Sequence, residues 1–137
     1  MPNSVRKMLT RIGYDDPGTA ATLEAGARAV TELASRGLVA LIEPFITERV
    51  APDRVRNLLD PDSVIRSVVI ASGLGASSAY TWLKLPVVDD LDRVLDATTL
   101  PTLLLGGDPT GDPALTYESW RRALDIPQAV GLVVGRA

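Results

Sequence analysis

The most constraining feature of the sequence is a regular alternation of short apolar runs with amphipathic segments. Residues 7–12 (KMLTRI), 38–43 (LVALIE), 81–85 (TWLKL), 101–105 (PTLLL) and 129–134 (AVGLVV) are apolar runs of strand length. Between them lie segments with helical spacing. Residues 20–35 place Leu23, Ala27, Val30 and Leu33 on one stripe and set Glu24 four residues before Arg28. In residues 62–72, SVVIAS alone reads as a buried strand. The longer window puts Val64, Ile65, Val68, Val69 and Ser72 on one face, which favours a helix. Residues 89–97 and 116–124 read as shorter helices.

The punctuation agrees with this division. Asp15-Asp16-Pro17-Gly18 is a turn, and Thr19 is a candidate cap for the first helix, which Gly37 stops. Asp62 and Thr116 are candidate caps further on. Gly73 or Gly75 ends the second helix, and Pro44 ends the second strand. Strands and helices in strict succession imply a parallel sheet with crossover helices, built as one domain over residues 1–137. The strand centres Leu9, Leu41, Leu83, Leu103 and Val133 are spaced about as in a (β/α)8 barrel, which spends roughly 250 residues on eight units. Five strands are too few to close such a barrel, and no helix follows the last one.

Composition removes several function classes. A hydrophobic share of 46% with a net charge of −3 describes a chain that packs a core rather than a disordered one. With no cysteine and no histidine, disulfides, thiol catalysis, zinc fingers and a Ser-His-Asp triad are excluded within this chain. The slight acidity, and the lack of a basic cluster interleaved with aromatics, argue against nucleic acid as a partner. No apolar stretch approaches the roughly 20 residues of a membrane span, and the first residues, MPNSVRKMLTRIG, lack a signal-peptide core. The expectation is a cytoplasmic protein with no membrane partner.

Lysine is scarce. Of 14 basic residues only Lys7 and Lys84 are lysines, and Lys84 stands inside WLKLPVV. An ammonium there is costly to desolvate. On a strand, Trp82, Lys84 and Pro86 share one face, while Leu83, Leu85 and Val87 share the other. The apolar face can carry helices, which turns Lys84 toward the inside of a barrel. Pro86 marks the carboxyl end of the strand, the end at which barrel enzymes do their chemistry. Apolar surroundings lower a lysine pKa and free the amine to attack a carbonyl. The plainer alternative is a lysine that snorkels or pairs with an acid such as Glu43.

Glu43 ends its strand before Pro44, where it fits either an acid/base facing the cavity or a structural ion pair. Arg11 is a weaker candidate of the same kind. Gly73-Leu74-Gly75-Ala76-Ser77-Ser78 lacks the spacing and lysine of a nucleotide loop and follows a helix, so it reads as helix termination. Asp89, Asp90 and Asp92 read as the acidic first turn of a helix rather than a metal site.

Taken in order, KMLTRI, DDPGT, GLVALIEPF, SSAYTWLKLP, TLPTLLLGGDP and GLVVGRA closely resemble the C-terminal part of class I aldolase barrels. The likeness is to the fructose-bisphosphate, deoxyribose-phosphate and DhnA-type aldolases and covers nearly the whole chain. It implies a partial (β/α)8 barrel made of about strands four to eight, with Lys84 as the Schiff-base lysine on the sixth. It implies a lyase acting on a phosphorylated sugar or related aldol, with no cofactor and no metal, because the protonated imine is the electron sink. Gly106-Gly107 and Gly135-Arg136 end the last two strands. By the resemblance they become phosphate-binding positions rather than turn glycines and a surface arginine. Three strands, their acid/base residues and the final helix have no counterpart here. The expected partner is a complementary half-barrel or a second copy, and a non-catalytic half-barrel is the alternative reading.

Overall fold

The computed structural model describes residues 5–106 and 111–134. Ten elements follow one another: β1 (Val5–Ile12), α1 (Thr19–Ser35), β2 (Val39–Ala51), β3 (Arg54–Asn57), α2 (Pro61–Ser72), β4 (Thr81–Pro86), α3 (Leu91–Leu95), β5 (Thr102–Gly106), α4 (Pro113–Leu124) and β6 (Ala129–Val134). The sheet runs β1-β2-β4-β5-β6, every neighbouring pair parallel, and β3 attaches antiparallel to β2. Each parallel pair is joined through a helix, as the alternation predicts.

One face of the sheet carries the core. Ala40, Ile42, Leu83, Leu85 and Leu104 meet Val30 of α1, Val64, Val68 and Ala71 of α2, Leu91, Val94 and Leu95 of α3, and Ala123 of α4. Leu83, Leu85 and Leu104 are completely buried. By strand alternation Lys84 is turned to the opposite face.

Several local expectations change. Pro44 does not end the second strand; β2 continues through it to Ala51. The backbone explains why. Ala40 donates its N–H to Tyr80 on the β4 side, so even-numbered residues of β2 point their N–H that way. Pairing with β4 extends only over Ala40–Ile42, so the donor missing at Pro44 removes no ladder bond. Beyond it β2 turns through Pro52-Asp53 into β3, with Thr47 opposite Asn57 and Glu48 opposite Arg56.

The helix starts also move. α2 is capped by Asp60, not Asp62. The Asp60 carboxylate accepts from the Ser63 N–H at 2.9 Å, with Pro61 at the first helical position. α4 begins at Pro113 under Asp112, whose carboxylate accepts from the Ala114 N–H, and Thr116 lies inside the helix. Thr19 does not cap α1. Its hydroxyl donates to the Gly13 carbonyl at 2.7 Å and accepts from the Gly13 N–H at 3.1 Å, closing the loop after β1. α3 is shorter than residues 89–97, and Asp90 before it has a left-handed backbone, φ 51°. α2 does end at Gly73. Gly75, at φ +82°, turns the chain so tightly against α1 that a Cβ would lie 2.8 Å from Val30.

Candidate active site

The inner face of the sheet gathers three charged side chains from three adjacent strands. Glu43 of β2 lies in register with Leu9 of β1, and Leu41, two residues earlier, with Trp82 of β4. The same stagger brings Glu43 level with Lys84, whose other neighbour in the sheet is Leu103 of β5. Leu9 and Leu103 thus place apolar residues beside the charged pair on both flanks. Both charged groups are buried, Glu43 at 6% and Lys84 at 8% exposure. The Lys84 Nζ donates to Glu43 Oε2 at 3.3 Å. Lys84 is therefore not in a purely apolar pocket. Of the two roles open to Glu43, the ion pair is present.

The third member was not anticipated. Lys7 of β1 reaches the same Glu43 oxygen at 2.8 Å, a shorter contact than that of Lys84. That distance is typical of a charge-assisted hydrogen bond, and the Lys84 contact is longer than typical. The hydrogen bond from Lys7 to Glu43, and then the carboxylate's charge, hold the Lys7 ammonium above its ordinary 10.5. The side chain of Lys7 is 51% exposed, because no strand lies beyond β1 among the described residues. In sequence Lys7 looked like a terminal lysine among polar neighbours. Its parity with Leu9 and Arg11 on a strand was the signal that could have turned it toward Glu43.

Of the remaining candidates, Arg11 stays exposed on the same face, level with Phe45, outside the cluster. Gly106 ends β5 opposite Val134 of β6. A Cβ there would come within 2.9 Å of the Trp120 ring, so the missing side chain makes room for α4 to pack. Gly107, Gly135 and Arg136 lie outside the described residues. Asp89 and Asp92 help line a cavity of about 230 Å³ between the β4–α3 loop and α4, together with Ser119 and Arg122. Arg93 pairs with Asp62 at 2.8 Å and reaches Asp90 at 4.0 Å. Among the described residues no group of three or more acidic side chains is placed to hold a metal ion. No helix among them is long and apolar enough to cross a membrane.

Comparison with known proteins identifies the family and the fold. Residues 3–137 match the model of one protein family, described as Cgl0159-like. The chain belongs to that family. The crystal structure of Cgl0159 from Corynebacterium glutamicum superposes with a TM-score of 0.89 at 50% identity, over 96% of this chain and 44% of that one. A structure described as a Schiff base forming fructose-1,6-bisphosphate aldolase follows at TM-score 0.71 and 21% identity, covering 93% of this chain and 49% of that one. An archaeal fructose 1,6-bisphosphate aldolase gives 0.72 and 19% with the same coverage. No curated protein matches the sequence. This Cgl0159-like chain thus spans about half the length of the solved relatives it resembles, and its fold is a partial (β/α)8 barrel.

Proposed function

We propose that this chain carries the imine-forming part of a class I aldolase site, with Lys84 as nucleophile and Glu43 as its acid/base partner. The observation that carries the reading is a buried lysine amine on the inner face of the barrel strands, 3.3 Å from a buried carboxylate. A relative of the same fold is described as Schiff base forming, which supports it.

The chemistry follows from the groups present. Lys84 first passes its ammonium proton to Glu43; the amine then attacks the substrate carbonyl carbon while Glu43 delivers that proton to the carbonyl oxygen, forming the carbinolamine hydroxyl, and the carboxylate takes up the proton shed by the nitrogen. The protonated Glu43 then returns a proton to the hydroxyl of the carbinolamine, which leaves as water and yields the iminium. Glu43, a carboxylate again once water has left, takes the proton of the β-hydroxyl, which breaks the adjacent carbon–carbon bond. Its electron pair moves into the iminium, giving an aldehyde and an enamine on Lys84. Protonation of the enamine carbon and hydrolysis release the second product. The iminium is the electron sink, so the sequence of steps calls for no metal. Lys7 stays charged beside Glu43 and fixes the carboxylate's orientation.

The substrate class is a phosphorylated keto sugar or related aldol. Gly106, Gly107, Gly135 and Arg136 are proposed to hold the phosphate, through backbone N–H groups and one guanidinium fork. A second reading, a half-barrel without activity of its own, draws on the 44% coverage of Cgl0159 and the half-exposed Lys7.

Borohydride reduction in the presence of dihydroxyacetone phosphate, followed by peptide mass spectrometry, tests the assignment. The chain contains only two lysines, so the adduct is unambiguous. It is expected on Lys84 and is expected to vanish in Lys84→Arg, whose guanidinium keeps its proton. An adduct confined to Lys7, or none when the rest of the barrel is supplied, would overturn the reading.

A further inference from the structure

We infer that the ketone processed at Lys84 is a deoxy compound in the half that stays on the lysine: the carbon beside the imine carbon there carries hydrogen or alkyl, not oxygen. The inference rests on the proposed imine chemistry and narrows its substrate class.

The register of the sheet decides which side chains stand beside and above the Lys84 amine. Leu103 of β5 pairs with Lys84 on one side and with Gly131 of β6 on the other. One step toward the carboxyl ends, Leu105 pairs with Pro86 and with Val133. Residues paired in a parallel ladder point to one face, so these five share the inner face with Lys84. The residues of opposite parity agree: Leu83, Leu85 and Leu104 lie in the helix-covered core, and Leu132 packs against it. A Cβ on Gly131 would lie 3.1 Å from Leu103 Cδ2, so the Leu103 side chain leans into the room that the glycine leaves. Alternation and pairing fix this wall, and it stays the same wherever the chain begins or ends.

The wall is chemically one-sided. The polar groups beside Lys84 come from β1 and β2, where Lys7 and Glu43 meet and Arg11 stands level with Phe45. From β4 across to β6, Pro86, Leu103, Leu105, Gly131 and Val133 bring no side-chain donor or acceptor, and their backbones lie in the parallel ladders. Trp82, with its indole N–H, is one step toward the amino ends, beneath the amine.

The mechanism orients the substrate on this wall. Glu43 takes the proton of the β-hydroxyl, so the departing aldehyde lies on the β2 side. The other substituent of the imine carbon then faces β5 and β6. An oxygen on its first carbon would give up water there and gain no partner, whereas a methyl or methylene group would only leave water for an apolar surface. The proposed phosphate positions begin at Gly106, past the Leu105–Val133 layer, so a phosphate there is reached through an alkyl spacer.

The test compares pentan-3-one with dihydroxyacetone. The two have the same shape, with a terminal methyl or a terminal hydroxyl on both sides, so either orientation puts one of these groups on the wall. Borohydride trapping on the full chain is read by peptide mass spectrometry, with Nα-acetyllysine in the same tube to correct for the reactivity of each ketone. Lys84 is expected to favour pentan-3-one by about 10-fold to 100-fold over that reference, the range that an apolar pocket gives for a methyl–hydroxyl exchange. Leu103→Asn and Val133→Thr, which place a polar group on the wall, should each lower the preference several-fold. A corrected preference near one, or one that both variants leave unchanged, would overturn the inference. Pentan-3-ol and glycerol form the matching pair that cannot make an imine. Pentan-3-ol should shift the methyl resonances of Leu103 and Leu105 at concentrations at least ten-fold lower than glycerol, and equal or reversed concentrations would overturn the inference. Absence of an adduct with either ketone would sink the imine reading, and the alcohol pair would still decide the wall.

Discussion

Replacing Glu43 by Gln keeps the shape of the site and removes the one carboxylate that, among the described residues, pairs with both lysines. Both ammonium nitrogens touch the same oxygen, Oε2, at 2.8 and 3.3 Å, so they lie no more than about 6 Å apart. At an effective dielectric of about 20, two charges ~6 Å apart repel by ~3 kcal/mol, more when closer and less where solvent reaches one of them. Lys7 is half exposed, so its share of the loss falls near the 0–1 kcal/mol of a surface pair. Lys84 has no such relief, because its side chain is only 10% exposed. Stranding a buried charge by deleting its partner costs about 3–5 kcal/mol. The expected loss for Glu43→Gln is therefore about 3–4 kcal/mol at neutral pH.

Urea unfolding followed by circular dichroism, at one fixed protein concentration for all variants, measures it. Removing the stranded cation should restore stability, so Glu43→Gln/Lys84→Met is expected to be more stable than Glu43→Gln alone, with a coupling of at least ~1 kcal/mol. A variant within ~0.5 kcal/mol of wild type, or a double mutant equal to the sum of the singles, would refute the shared-carboxylate account.

Other outcomes follow from single contacts. Gly75→Ala should destabilise by roughly 2 kcal/mol or more, because it combines a left-handed backbone with a Cβ 2.8 Å from Val30, and a drop in thermal midpoint measures this. Gly106→Ala should cost about 1–3 kcal/mol and shift tryptophan emission, since the new methyl meets the Trp120 ring at 2.9 Å; an unshifted spectrum would mean that the ring is not seated there. Lys7 is held above 10.5 in the folded chain, so its contribution is complete below that pH and fades as the pH rises through the raised value. The stability difference between wild type and Lys7→Met should therefore narrow above pH 10.5 and stay flat below it. Asp60 is held below its ordinary 3.8 by its hydrogen bond from Ser63, so the advantage of wild type over Asp60→Asn should persist above 3.8 and disappear on further acidification.

What the sequence revealed, and what it hid, divides along the range of the interactions. Residues 81–86 announce their two faces, because period-two alternation is local: Leu83 and Leu85 under helices, Lys84 opposite. α1 is equally legible in its apolar stripe. The hairpin β2–β3 was missed because Pro44 reads as a stop in a one-dimensional scan. Whether its absent N–H matters depends on which neighbour it would have faced, and that is a property of the sheet. The Pro52-Asp53 turn between ITERV and RVRN was the available signal. Asp60 lost to Asp62 for a similar reason: Pro61 takes the first helical position, so the cap stands two residues earlier than the Asp62 that the apolar face suggested. Lys7 was least legible of all, since its partner is a carboxylate on another strand.

In the proposed mechanism the unequal contacts at Glu43 divide the labour between the two lysines. One carboxylate oxygen cannot give both amines its best hydrogen bond, and the 2.8 Å contact goes to Lys7. That amine is held charged and is half open to water, two conditions that suit a fixed cation and not a nucleophile. Lys84 has the longer contact at 3.3 Å, the greater burial and Leu103 of β5 beside it in the sheet, so a proton leaving it has Glu43 as the nearby acceptor. Covering Lys7 by a further strand would sharpen this division, because excluding water strengthens its bond to Glu43 and leaves the carboxylate less free to rotate.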